Sequence, residues 1–337
     1  MTDDLTPQSF RERFAVAAFT DGGVVADLRT GSYGKINATG VAMLASLEGA
    51  TSFEAAAEDI ATSLKIPLAV ALSDLRSLVA TLGGAGVRAA PFGVVEYRPA
   101  PDGGYDLWHG EHRALHVDAP AKKLTLASPP ESLPLRIYDY VSNIAPKLLF
   151  LLGVPILHGS SVAQGSTVLS MCGVSRAGKT TTARVFATHG SRLISEDLIV
   201  LDLSGGPPRV FLEAEPRVRR WFHEGACELE ANHGTALDVQ ALREAASGPA
   251  LPLETLWFLD AARRGDRFAR AVIGKTEALI ELLNHAFLGA ESEASWRRYL
   301  AAGRAVVANA TTCRMDLPNG LQTLDDAIRL YSTNSAS

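Results

Sequence analysis

The sequence predicts a two-domain α/β protein, with a winged helix-turn-helix unit over residues 1–88 and an α/β domain built around a glycine-rich loop over residues 132–331. Three observations predict it. The stretch GVSRAGKT has the spacing G-x-x-x-x-G-K-[ST] at Gly173, Gly178, Lys179 and Thr180, and it lies between a β-favouring run and a helical one. Upstream, a hairpin pattern precedes three stretches of helical period. The chain has 337 residues, 47% of them hydrophobic and 20% charged, which suffices for two cores and gives no sign of disorder.

In the first domain, GGVVADLRTGSYGKIN alternates around Val25, Leu28, Tyr33 and Ile36 with a Thr-Gly turn between, the pattern of a short hairpin. A first helix is expected from about Thr39 to Leu47, with Val41, Leu44 and Leu47 inward and Gly49 just past its end. Thr51 and Glu54 make a T-x-x-E capping box for a second helix, whose inward positions are Phe53, Ala57, Ile60, Ala61 and Leu64. Pro67 opens the third, with Leu68, Leu72, Leu75, Val79 and Leu82 inward until GGAG ends it.

The commonest use of this layout is DNA binding. Charge argues against that use: residues 1–88 carry seven Lys or Arg against ten Asp or Glu, and affinity for DNA depends on neutralising phosphates. From VVADLRTGSYGKIN to DLRSLVATLGGAGV, the stretch resembles the PqqD-like fold, the peptide-recognition element of pathways that modify ribosomally made peptides. The resemblance implies a partner, the leader segment of a precursor peptide, added as a strand to the hairpin edge beside the third helix. An exposed edge offers unpaired backbone groups to such a segment. The expected edge is Gly22 to Leu28.

Residues 89–131 read as a small β-rich connecting region, with GVVEYRP, GYDLWHG, ALHVD and KLTLAS as strands. A long apolar helix is expected from about Ser132 to Leu152. STVLSMC then reads as a strand and KTTTARVFATHG as a helix stopped by Gly190. Strand, loop and helix in this order aim main-chain N–H groups and a helix N-terminus at phosphate oxygens. The nucleotide-binding candidates are therefore Gly173, Val174, Ser175, Arg176, Ala177, Gly178, Lys179, Thr180 and Thr181. On this reading Lys179 bridges the β- and γ-phosphates of ATP, and Thr180 offers its hydroxyl to Mg2+. SRLISEDLIVLDL sets Glu196 and Asp197 side by side in an apolar run, which is expensive unless something cationic meets them. Two solvated carboxylates in a turn are the alternative.

Residues 157–201, from LHGSS through the loop to LISEDLIVL, are similar to the catalytic core of HPr kinase/phosphorylase and its shorter serine-kinase relatives. The implied fold is an α/β P-loop kinase domain like the HPr kinase C-terminal domain, behind a PqqD-like winged helix-turn-helix domain. The resemblance implies Glu196 as the base for the acceptor hydroxyl, Asp197 as the magnesium-side carboxylate, His158 as the histidine near the phosphates and Lys179 as a charge clamp. Two positions depart from the family: Glu196 stands in place of Asp, and Arg176-Ala177 in place of Ser-Gly. The C-terminal signature of the enzymes that also dephosphorylate HPr is not evident, which disfavours a role in sugar regulation.

Arg217 and Arg219, in EAEPRVRRW, are candidates to contact a phosphate or the acceptor, and a solvated basic turn is an equal reading. His109, His112 and His116 lack the H-E-x-x-H order of a zinc site and sit in strand-like sequence, where i and i+3 face opposite ways. ARRGDR reads as a hairpin turn, KTEALIELLNHAFLG and TLDDAIRLY as helices, RAVVAN and CRMDLP as strands, and 332–337 as a disordered tail. Net charge is −5, the start lacks a secretory pattern, and the longest apolar run, Leu148 to Leu157, is broken by Gly153 and Pro155. A cytoplasmic protein with neither DNA nor a membrane as partner is expected, its cysteines Cys172, Cys227 and Cys313 reduced. Together the two resemblances imply an ATP- and Mg2+-dependent kinase acting on a hydroxyl of a ribosomally made peptide, with a Ser of a lasso peptide favoured. A nucleotide-binding peptide carrier and a DNA-binding regulator with an ATP sensor are the alternatives. The kinase resemblance allows a homo-oligomer, on which the sequence is silent.

Overall fold

The computed structural model describes residues 6–84, 87–88, 96–232, 234–259, 268–285 and 293–335. Its first elements are α1 (Pro7–Arg13), β1 (Phe14–Phe19), β2 (Gly22–Asp27), β3 (Ser32–Ile36), α2 (Ala38–Ala45), α3 (Phe53–Leu64), α4 (Leu68–Gly84) and β4 (Val87–Arg88). The four strands make an antiparallel sheet in the order β1-β2-β3-β4. α1 and β1 are not foreseen from the sequence, because FAVAAF is apolar throughout and offers no alternation. β1 changes the topology. Gly22–Leu28, the expected edge, is interior: Val25 stands opposite Val16 on one side and Gly34 on the other.

Asn37 caps α2 by accepting Gly40 N–H at 2.7 Å, and Ser52 caps α3 by accepting Ala55 N–H at 3.1 Å. The expected capping box at Thr51 is not formed, since Ser52 takes the cap and Glu54 pairs with Arg76 at 2.7 Å. Phe10, Val25, Ile36, Leu44, Ile60, Leu75 and Val79 belong to one buried cluster. Leu64 and Leu68, expected inward, are 38% and 46% exposed. They lie at the α3–α4 corner, where the chain turns through Lys65 in a left-handed conformation, and Ala71 and Leu75 supply the buried stripe of α4.

The chain continues through β5 (Glu96–Pro99), β6 (Tyr105–His109), β7 (His112–Asp118), β8 (Lys123–Leu126), α5 (Ile137–Leu151), β9 (Ile156–Gln164), β10 (Thr167–Gly173) and α6 (Lys179–Thr188). Next come β11 (Arg192–Ser195), β12 (Leu198–Asp202), β13 (Arg209–Phe211), α7 (Ala214–Ala231), β14 (Ala236–Asp238), α8 (Val239–Ala245), β15 (Ala250–Leu259) and β16 (Ala269–Val272). Last are α9 (Lys275–Asn284), α10 (Glu293–Asn309), β17 (Thr311–Asp316) and α11 (Leu321–Ser335). RAVVAN, expected as a strand, is the end of α10, where Val306 and Val307 are both buried. α11 runs through the expected disordered tail as far as Ser335. EAEPRVRRW opens a helix rather than a turn. The expected turn at ARRGDR, the end of GGAG at 85–86 and the last part of the helix expected over 275–289 lie outside the described residues.

Two compact units result, and the first is not contiguous. It joins the described residues up to 88 to 273–284 and 293–308, so α9 and most of α10, expected in the C-terminal domain, belong with the N-terminal sheet. β2 is buried along its whole length. Val25 faces the cluster with α2–α4, and on the opposite face of the strand Val24 and Ala26 are fully buried, with α9 packed against β2. Asp21, in the β1–β2 turn, meets the open N-terminus of α9 by accepting Thr276 Oγ1–H at 2.9 Å and Thr276 N–H at 3.3 Å. At the other end of α9, Tyr33 donates its hydroxyl to Asn284 Oδ1 at 2.5 Å. The two helices interlock at Gly303, where a Cβ would stand 2.6 Å from Leu279 Cδ1.

The second unit holds two sheets. One is antiparallel, β14-β8-β7-β6-β5, and shares a core with α5, α7 and α8 that includes Leu115, Tyr140, Ile144, Val218, Phe222 and Leu242. The other runs β10-β9-β12-β13-β15-β17-β16, with β11 also on β9. Because β15 returns to pair in parallel with β10, the strands β10, β9, β12, β13 and β15 close a circuit. Among the described residues no helix is long and apolar enough to cross a membrane.

Candidate functional site

The glycine-rich loop joins β10 to α6. Gly173 ends β10 opposite Leu259 of the parallel β15, and a Cβ there would lie 2.4 Å from the Leu259 carbonyl oxygen. Arg176 and Gly178 have positive φ, 65° and 101°, which turns the chain sharply before α6 begins. Val174, Ser175 and Arg176 are exposed, as is Thr181 in the first turn of α6, while Ala177 is buried. Lys179 is 6% exposed. Its ammonium lies over the loop and donates to the carbonyls of Gly173 at 2.8 Å and Val174 at 3.0 Å. Burial holds its pKa below the ordinary lysine value, with the Asp197 charge pulling the other way.

Glu196 and Asp197 occupy the gap between β11 and β12. The Glu196 carbonyl accepts the hydroxyls of Ser160 at 2.6 Å and Thr180 at 3.3 Å, so the loop helix is tied to the acid pair. Gly159 N–H donates to the Asp197 carbonyl at 3.1 Å, and a Cβ on Gly159 would stand 2.4 Å from the Met171 carbonyl oxygen. This is why a glycine follows His158. The His158 ring is held below the ordinary imidazole value by burial and by the Lys179 charge, against the pull of Asp197. Asp197 is thus the carboxylate whose field both Lys179 and His158 feel.

The Glu196 carboxylate, expected as a base, is held in an ion pair. Arg184, further along α6, takes both of its oxygens, through Nε at 2.6 Å and a terminal nitrogen at 3.1 Å. Of the two arginines expected near phosphate, Arg219 reaches the acid pair, 2.7 Å from Asp197 Oδ2. Arg217 instead donates to the main-chain carbonyls of Glu213 and Ser247, which braces the start of α7.

Two residues of the site escape the sequence reading. Glu215 is a buried carboxylate that accepts the main-chain N–H groups of both Glu196 and Asp197. The signal for it was an acidic residue just ahead of the arginines. His285 accepts the His158 N–H on its carbonyl at 3.3 Å, and its ring faces Phe258, with centroids 6.5 Å apart. Burial and the charge of Lys179 push its pKa down to about 4. Nothing local marks His285, because it follows the last turn of α9 and only the fold brings it to His158. Complete burial likewise pushes the Cys172 thiol up to about 12.

Thr180 and Asp197 are the residues that could hold a magnesium ion beside the phosphates of a nucleotide. A hydroxyl, Thr180, and a carboxylate, Asp197, are hard oxygen donors, and magnesium takes few protein ligands when phosphate and water supply the rest. Among the described residues no group of three or more His, Cys, Asp or Glu is arranged to hold a metal ion on its own. In the β5–β8 sheet the three histidines have separate surroundings. His109 bonds the Tyr140 hydroxyl at 3.0 Å, His116 lies between Asp102 and Asp106 at 2.9 and 2.8 Å, and His112 is exposed.

In the first unit, β4 pairs only with Ser32 and Tyr33, so among the described residues the outer edge of β3 over 34–36 has no strand partner. Residues 22–87 match the family described as coenzyme PQQ synthesis protein D (PqqD). No curated protein matches the chain.

Proposed function

We propose that the chain is an ATP-dependent kinase that phosphorylates a hydroxyl, favouring Ser, of a ribosomally made precursor peptide held through its leader. The observation that carries the reading is the buried Lys179 folded over a strand–loop–helix cradle whose next residue, Thr180, is tied to the Glu196–Asp197 turn. The match of residues 22–87 to PqqD supports the peptide half, and a leader segment adds to the β3 edge at 34–36, the place left open beside β4. On this reading the second unit has a P-loop kinase fold and the first a winged helix-turn-helix.

The loop's main-chain N–H groups and the α6 N-terminus hold the phosphates. Lys179 leaves the carbonyls of Gly173 and Val174 to meet the β- and γ-phosphates. Thr180 and Asp197 would hold magnesium, which would supply positive charge against the phosphate oxygens. The acceptor oxygen forms a bond to the γ-phosphorus as the bond from phosphorus to the bridging oxygen breaks, ADP leaves, and the hydroxyl proton passes to Glu196. For that last step Glu196 releases Arg184. Positioning and charge carry most of such a reaction, the base less.

Incubation of the full chain with γ-labelled ATP and a co-encoded precursor tests this: label in the peptide is expected. The grip of Arg184 on Glu196 favours one second reading, a nucleotide-binding peptide carrier without transfer. Nucleotide and peptide both bound with no label moved would establish the carrier instead.

A further inference from the structure

We propose that Glu215 is a positioning residue of the loop site: it fixes the direction in which Asp197 presents its carboxylate, and it holds Arg219 as the counter-ion that Asp197 exchanges for a divalent cation. The inference rests on the nucleotide reading of the site. Glu215 stands in the first turn of α7 and is 6% exposed. Its Oε2 accepts Glu196 N–H at 2.7 Å, and its Oε1 accepts Asp197 N–H at 3.2 Å and two N–H groups of Arg219 at 2.9 and 2.7 Å. A carboxylate survives burial only where hydrogen bonds replace its water, and here four do.

Two consecutive main-chain N–H groups reach one carboxylate only in a turn of fixed shape, so Glu215 sets the backbone from which Asp197 projects. A neutral amide would keep only one of those two acceptors. The charge is needed for Arg219, whose same terminal nitrogen bonds Glu215 Oε1 and Asp197 Oδ2, each at 2.7 Å. One guanidinium therefore serves two carboxylates, and Asp197 is the one free to exchange it for a cation, since Glu215 takes two of its N–H groups. When Asp197 turns to the cation, Glu215 keeps Arg219 in place. Stapling α7 to the acid turn and nothing more is the rival role.

Titration of a fluorescent ADP analogue against the full chain, first without Mg2+ and then across a Mg2+ series, separates the two. Glu215→Gln keeps the shape and one acceptor but loses the charge. It is expected to keep the Mg2+-free affinity and to need about tenfold more Mg2+ for half of the tightening, as losses of outer-shell partners do. Arg219→Gln still donates one bond to Glu215 and frees Asp197, so it is expected to need less Mg2+ than wild type. Unchanged Mg2+ midpoints in both variants, or parallel losses with and without Mg2+ that track a falling Tm, overturn the proposal. Should Glu215→Gln fail to fold, an unchanged or raised midpoint in Arg219→Gln overturns it alone. A wild-type chain that binds the analogue under neither condition overturns the nucleotide reading, and the proposal with it.

Discussion

Glu196 reaches Arg184 with both carboxylate oxygens, yet Arg184 is 66% exposed. An ion pair that open to solvent is weak, so its release is a small obstacle to catalysis. In the labelled-ATP assay, Glu196→Gln is expected to lower turnover about 100-fold, the usual loss of a general base, and Arg184→Gln to leave it near wild type. Undiminished transfer by Glu196→Gln would remove the base role. His285 makes a second expectation. Its folded pKa of about 4 lies below the ordinary 6.5, so between those values the unfolded chain binds a proton that the folded chain does not. Stability from this group is therefore full above about pH 6.5 and is lost as pH falls toward 4, by up to about 3 kcal/mol. Urea midpoints measured across that window should fall less steeply for His285→Gln, and equal slopes would discount the buried imidazole. At Gly173 the Leu259 carbonyl stands where a side chain would go. Gly173→Ala should cost about 1–3 kcal/mol in chemical denaturation, and a stability equal to wild type would mean that β10 and β15 are not packed so closely.

Among the elements, α9 and α10 show best how local pattern and tertiary placement part company. α9 is legible as an apolar helical stretch, whereas α10 has no such reading, because its end, RAVVAN, looks β-branched enough to be a strand and is overruled by helix packing. Their place against the N-terminal sheet has no local sign except one. GGVVAD has two apolar residues in succession, Val24 and Val25, which a half-exposed strand does not need. A fragment of residues 6–88 uncovers Val24 and Ala26, and it loses Trp296, Tyr299 and Leu300, each nearly fully buried in the whole chain. Large side chains of this kind stabilise by about 2 kcal/mol apiece. The fragment is expected to bind a hydrophobic dye and to melt without cooperativity. A sharp thermal transition for it alone would make α9 and α10 accessories.

At the scale of the whole molecule, the described chain belongs to the first unit up to 88, to the second from 96 to 272 and at 285, and visits the first unit once more before β17. Neither unit is a contiguous cassette. Holding a leader raises the local concentration of the core peptide, so the contacts made to the core itself need not be strong. Removal of the leader from the peptide is expected to raise KM by about 100-fold or more with kcat little changed. Equal KM for both peptides would disconnect the first unit from substrate choice.

By itself the sequence determined the glycine-rich loop with its flanking strand and helix, the adjacent acids between two apolar runs, and the helices α2 to α4, because each rests on spacing within a few residues. Only the tertiary structure decided that β2 is interior, that Arg184 holds Glu196, that Arg217 braces a helix while Arg219 meets Asp197, and that Glu215 and His285 join the site. Those outcomes depend on which of several similar side chains lies within hydrogen-bond reach of a group far away in sequence. Local pattern carries direction along the chain, whereas distance across the fold is set by the packing of sheet and helix as a whole.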